Sequence, residues 1–86
     1  MSRNSRIEQK KIGKILRDAR LKSGKTQKEI SSLLNRHQSY VSKYESGEKR
    51  LDLLEAIKIC RAIETDISVF IELVDNITKG GKNAAG

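Results

Sequence analysis

Residues 38–47 read QSYVSKYESG, and this stretch decides the fold. Val41 and Tyr44 stand three apart, the spacing that sets two apolar side chains on one helix face. Gln38, Ser39, Ser42 and Lys43 then fall on the opposite, polar face. Gly47 closes the segment, because glycine adopts the left-handed conformation that ends a helix without steric cost. The spacing predicts a short helix with one side buried and one side offered outward.

Immediately before it, Asn35-Arg36-His37 leaves room only for a tight link. Asn tolerates positive φ better than most residues, so Asn35 suits the reversal. Before the link, Thr26-Gln27-Lys28-Glu29 is a capping-box pattern, in which hydroxyl and carboxylate each bond the other's backbone amide. It opens a second short helix with Ile30, Leu33 and Leu34 apolar, and with Ser31 small enough to let a neighbour approach. Two short helices joined by a sharp turn make a helix-turn-helix running from Gln27 to Ser46.

The flanks continue the helical period. Ile12, Ile15, Leu16 and Ala19 share a face of a first helix over residues 8–22, ended by Gly24, with Gly13 a mild cost inside it. Asp52 and Glu55 repeat the capping logic for a fourth helix carrying Leu53, Ala56, Ile57, Ile59, Cys60 and Ile63. A fifth helix over residues 67–77 carries Ile67, Phe70, Ile71, Val74 and Ile77. No segment alternates with period two, so the expectation is an all-α compact bundle of about five short helices. Residues 1–7 read as a flexible arm, 8–77 as the domain and 78–86 as a disordered tail. Arg3 and Arg6 in the arm read first as tail, with minor-groove entry as the alternative.

Composition narrows the class. The chain has 86 residues, 18 Lys and Arg, 11 Asp and Glu, and net charge +7. Residues 1–50 hold 14 basic and 5 acidic side chains, net +9, whereas residues 51–86 hold 4 and 6, net −2. A basic front half points to a polyanionic partner. One cysteine, Cys60, allows no internal disulfide, and no apolar run approaches a bilayer span, so an intracellular, soluble protein is expected. Tyr40, Tyr44 and Phe70 are the only aromatics, too few for a base-stacking single-strand binder. One His and one Cys supply neither a metal cluster nor a nucleophile with its base. No catalytic residue, no metal and no cofactor is expected.

Leu16-Arg17, Arg20, Gly24, the run from Thr26 to Ile30 and the run from Gln38 to Gly47 together resemble the lambda-repressor-like helix-turn-helix family, the Cro/repressor or XRE type of bacterial and phage regulators. The resemblance covers residues 12–64. It implies that Gln38, Ser39, Ser42 and Lys43 enter the major groove of duplex DNA, where Gln can bond adenine N6 and N7 and Lys can donate to guanine O6 and N7. It implies a phosphate contact for Gln27 at a helix N-terminus, with Thr26, Lys28, Lys49 and Arg50 beside it. It also implies a partly buried structural ion pair between Arg20 and Glu45. Asn35 stands where the family usually has Gly. Arg36 and His37 stand where an apolar residue and a Ser or Thr cap are usual; His37 caps poorly, and the basic pair is assigned to phosphate.

The reading is a sequence-specific, cytoplasmic transcription regulator, most simply a repressor without a small-molecule ligand. Helix five offers more apolar surface than so small a core needs. Ile71, Val74 and Ile77 are therefore candidates for a homodimer interface, which would set two readers on a palindromic operator. The alternative is a protein-interaction module on the same fold, an antitoxin or antirepressor. The polar, basic outer face of helix three favours DNA.

Overall fold

A computed structural model of the chain describes the backbone of residues 2–85 and the side chains of residues 6–79. It holds five helices and, among the described residues, no strand: α1 (Ser2–Lys22), α2 (Gln27–Leu34), α3 (Gln38–Ser46), α4 (Leu53–Ile63) and α5 (Ile67–Ala85). α2 packs on α3, α1 crosses α3, α4 backs α2, and α5 lies along α1 and α4.

The helix starts and stops are local chemistry. Thr26 Oγ accepts from the Glu29 amide at 3.0 Å, and Glu29 returns the bond by accepting from the Thr26 amide at 2.7 Å. Asp52 and Glu55 repeat this at 2.8 and 2.9 Å. Each box satisfies two of the amides that a helix start leaves without partners. Asn35 ends α2 at φ 59° and Gly47 ends α3 at φ 87°, both left-handed. Glu64 ends α4 in the same conformation at φ 66°, which its sequence context does not signal.

Leu16, Ile30, Val41, Tyr44, Ala56, Ile59, Cys60, Ile63 and Phe70 form the core. Every helix contributes, so none is stable without the others. Burial pushes the Cys60 thiol up to about 11, which makes it an inert core residue. Ser31 is buried where α2 meets its neighbours, its hydroxyl donating to the Lys28 carbonyl at 2.8 Å.

Glycine sets the α1–α3 crossing. A Cβ at Gly13 would lie 2.5 Å from the Glu45 carbonyl oxygen and closer still to that of Tyr44. A Cβ at Gly47 would sit 2.8 Å from Lys10 Cα. α1 therefore rides directly on the C-terminal turn of α3. Gly13 is a packing requirement, not only a helix-propensity cost.

Several sequence expectations change. α1 begins at Ser2 and α5 runs to Ala85, beyond the 8–22 and 67–77 that the apolar period predicts. The side chain of Arg3 lies outside the described residues; Arg6 is exposed on α1. Leu33, Leu53 and Ile67 are exposed, and Ile57 is only half-buried. Of the three interface candidates, Ile71 is exposed, Val74 packs against the core and Ile77 is half-buried. Val69 and Leu73 are exposed apolar residues that the sequence did not single out.

Candidate nucleic-acid interface

α3 is held by its inner face and its last turn. Val41 and Tyr44 are buried, while Gln38, Ser39 and Lys43 are exposed and Ser42 is half-buried. Ser42 Oγ donates back to the Ser39 carbonyl at 3.2 Å, so that hydroxyl already serves the helix. Lys43 forms no ion pair among the described residues. His37 stands at the α3 N-cap with φ −73° and ψ 155°, and its side chain makes no capping bond. α3 thus starts at Gln38, one residue after a cap that leaves the first amides unserved by a side chain.

A chain of polar contacts joins this face to the core. Arg20 Nε and Nη2 donate to the two carboxylate oxygens of Glu45 at 2.7 and 3.1 Å, and Arg20 Nη1 donates to the Lys25 carbonyl at 2.8 Å. Both side chains are buried. The hydrogen bond to Glu45 is the chief reason that the Arg20 guanidinium is held above its usual pKa, against the opposing pull of burial. Gln27 Nε2 donates to Glu45 Oε1 at 2.9 Å, and Gln27 Oε1 accepts from Gln38 Nε2 at 3.3 Å. Arg20, Glu45, Gln27 and Gln38 are therefore one line running from inside the bundle to its surface. The two glutamines, one at the start of α2 and one at the start of α3, are brought into contact. A planar bidentate pair tolerates little rotation, so Glu45 fixes Gln27, and Gln27 limits Gln38.

The other candidate phosphate residues lie at the start of α2, in the turn before α3 and in the loop after it. Thr26 and Lys28 are exposed in the first turn of α2, Thr26 with its oxygen engaged as cap. Arg36, His37 and Arg50 are exposed, and Lys49 is about one-third exposed. Arg36 and Lys49 are not loose. The Arg36 guanidinium lies 4.5 Å from the centre of the Tyr40 ring and the Lys49 ammonium 5.6 Å from it. Lys49 also pairs with Glu55 at 3.4 Å, and the Tyr40 hydroxyl donates to the same Glu55 oxygen at 3.1 Å. Burial, then the bond to Glu55, pushes the Tyr40 phenol up to about 12. The Asp52 amide, then the Tyr40 hydroxyl and Lys49, hold the Glu55 carboxyl below its usual range. Sequence reasoning gave Glu55 only a capping role and Tyr40 none. Their parts come from α3, α4 and two loops, and no single spacing connects them.

Elsewhere, no three metal-ligating side chains cluster among the described residues, and no described helix is long and apolar enough to cross a membrane. An apolar groove between α1 and α5 is lined by Ile15, Ala19, Val69, Phe70 and Leu73, with Lys22 and Glu64 at its rim.

A helix-turn-helix family model matches residues 16–70. Among solved structures, an XRE-family-like protein from Pseudomonas syringae pv. tomato str. DC3000 is 38% identical, with a TM-score of 0.75 over 84% of this chain and 88% of its own. The clp gene regulator ClgR from C. glutamicum gives a TM-score of 0.73 at 20% identity, over 80% of this chain and 88% of its own. A point mutant of the restriction-modification controller protein C.Esp1396I gives 0.73 at 24% identity, over 85% and 94%. At those two lower identities the likeness shows the fold alone. No curated protein matches the chain.

Proposed function

The chain belongs to the XRE-type helix-turn-helix family, whose members are DNA-binding transcription regulators and not enzymes, and on that premise we propose that it is a homodimeric, sequence-specific repressor. The observation that carries this reading is the outer face of α3. Gln38, Ser39 and Lys43 project from a helix whose inner side is locked into the core. Gln38 is the principal base reader, with amide geometry suited to adenine, and Lys43 suits guanine. Ser42, with its hydroxyl turned back on the helix, is the weakest of the four. Gln27, Thr26, Lys28, Arg36, His37, Lys49 and Arg50 supply backbone contacts that set register. Binding is steeply salt-dependent, because each phosphate neutralised releases condensed counterions.

One α3 reads few base pairs, so a second copy multiplies specificity on a palindromic operator, with readers about 34 Å apart. The exposed apolar residues Ile71, Val69 and Leu73 on α5 suit that pairing, with Val74 and Ile77 at its margin. Repression follows if the dimer occludes a promoter. A cytoplasmic location accords with access to DNA.

Selection of duplexes from a random pool tests the reading, comparing wild type with a Gln38→Ala, Lys43→Ala double variant. Wild type should enrich a palindromic sequence, and the double variant should bind weakly without preference. Enrichment of the same sequence by the double variant would place the reading face elsewhere. No enrichment by either would favour a protein partner.

A further inference from the structure

Tyr40 gathers charged groups from the turn before α3, the loop after it and α4. Arg36 belongs to the turn before α3 and Lys49 to the loop after it. Both cations meet one tyrosine ring, at 4.5 and 5.6 Å from its centre. The ring is braced behind by Tyr44, edge-on at 5.5 Å. Its hydroxyl is anchored to Glu55 of α4, which also holds Lys49. We propose that Tyr40 is a positioning residue for DNA-backbone contact, holding Arg36 and Lys49 as one preset pair of phosphate-binding cations flanking the recognition helix. The inference rests on the DNA-binding reading and deepens it.

The physics favours such a device. Arg and Lys side chains lose much rotamer freedom when they grip a phosphate, and ordering them beforehand removes that cost from binding. A ring face attracts cations without neutralising them, whereas a carboxylate partner alone would compete with the phosphate. Glu55 engages Lys49 at 3.4 Å, longer than a tight charge-assisted bond. Arg36 makes no ion pair among the described residues, so its charge is both placed and available. Because the two cations come from the turn before α3 and the loop after it, their common hold on Tyr40 also ties both flanks of the helix to one point.

Affinity for the selected duplex and for a random duplex is measured over a range of salt, for wild type, Tyr40→Phe, Tyr40→Leu and the Arg36→Ala, Lys49→Ala double variant, alongside each thermal midpoint. Tyr40→Phe keeps the ring and should stay within about twofold of wild type, as expected when the ring carries the cation contact. Tyr40→Leu should weaken both duplexes by a similar factor, about tenfold, and flatten the salt slope by about one, the signature of a lost phosphate contact. In an Arg36→Ala, Lys49→Ala background the same Tyr40→Leu change should cost nothing further. A loss confined to the selected duplex, an unchanged slope, or an equal loss in that background would overturn the proposal. If Tyr40→Leu does not fold, the Arg36→Ala, Lys49→Ala protein decides: it should weaken both duplexes alike and flatten the salt slope, and wild-type affinity and slope there would overturn the proposal. Wild type that binds no duplex overturns the DNA-binding reading and this inference together. Wild type that binds while every variant behaves like it overturns the inference alone.

Discussion

Replacing Glu45 by Ala removes three hydrogen bonds at once: two from Arg20, at 2.7 and 3.1 Å, and one from Gln27 at 2.9 Å. Arg20, 6% exposed beside Glu45, is left with only the Lys25 carbonyl accepting from it. A buried charge stripped of its counter-charge costs about 3–5 kcal/mol, a large share of the roughly 5–15 kcal/mol that holds a domain together. For a chain of this size the thermal midpoint should fall by at least about 12 °C, taking 4 °C per kcal/mol as the lower conversion. The control is an Arg20→Met, Glu45→Leu double variant, which replaces the pair by apolar side chains of similar bulk. Its midpoint should recover most of the loss, because the penalty lies in the orphaned charge and not in the net worth of the pair. Duplex affinity should not recover in parallel, since Gln27 has lost the partner that holds it against Gln38. Calorimetry or circular dichroism reads the first outcome and a gel shift the second. A drop below about 1 kcal/mol in Glu45→Ala, the size expected of an exposed pair, would refute the reasoning.

Three further changes probe the scaffold. The Tyr44 hydroxyl is buried with no hydrogen-bond partner among the described residues, so Tyr44→Phe should be neutral or stabilising by up to about 1–3 kcal/mol; a clear loss in a denaturant titration would show that the hydroxyl is satisfied. Gly13→Ala gains about 1 kcal/mol of helix propensity, but the added carbon meets backbone carbonyls of Tyr44 and Glu45 that have little freedom to yield. Net destabilisation is expected, and a raised midpoint would contradict the α1–α3 crossing. The folded-state pKa of Glu55 is lowered from 4.5, so its stabilisation is present above that value and lost as pH falls through the lowered one. Midpoints of wild type and Glu55→Gln should differ at neutral pH and converge in acid; a constant gap would tell against the carboxylate's role.

Much of the architecture was legible because it is local. Thr26 with Glu29, and Asp52 with Glu55, announce helix starts by chemistry that acts within four residues, and Asn35 and Gly47 announce turns by their tolerance of positive φ. What depends on distant surfaces was not legible. The helical period places Leu33, Leu53 and Ile67 on apolar faces, but a small bundle covers only part of each face, and these three stay exposed. Gly13 read as a weak point because its neighbour, the last turn of α3, is more than 30 residues along the chain. At the site, the resemblance supplied roles one residue at a time. It did not supply the contact between Gln27 and Gln38, or the tyrosine that gathers Arg36, Lys49 and Glu55 from separate elements. α1 begins earlier and α5 runs further than the apolar period alone suggests.

The central claim is that α3 reads base edges in the major groove through Gln38. The direct measurement is binding to the selected duplex after each adenine is replaced in turn by 7-deazaadenine, which removes the major-groove N7 acceptor and leaves the minor groove and phosphates alone. One position in each half-site should weaken wild type by about 2- to 13-fold, the loss of one hydrogen bond of the bidentate pair at about 0.5–1.5 kcal/mol, and should leave the affinity of Gln38→Ala unchanged. If no adenine position matters, or if Gln38→Ala loses as much as wild type at the sensitive one, Gln38 is not the reader and the account of this interface fails.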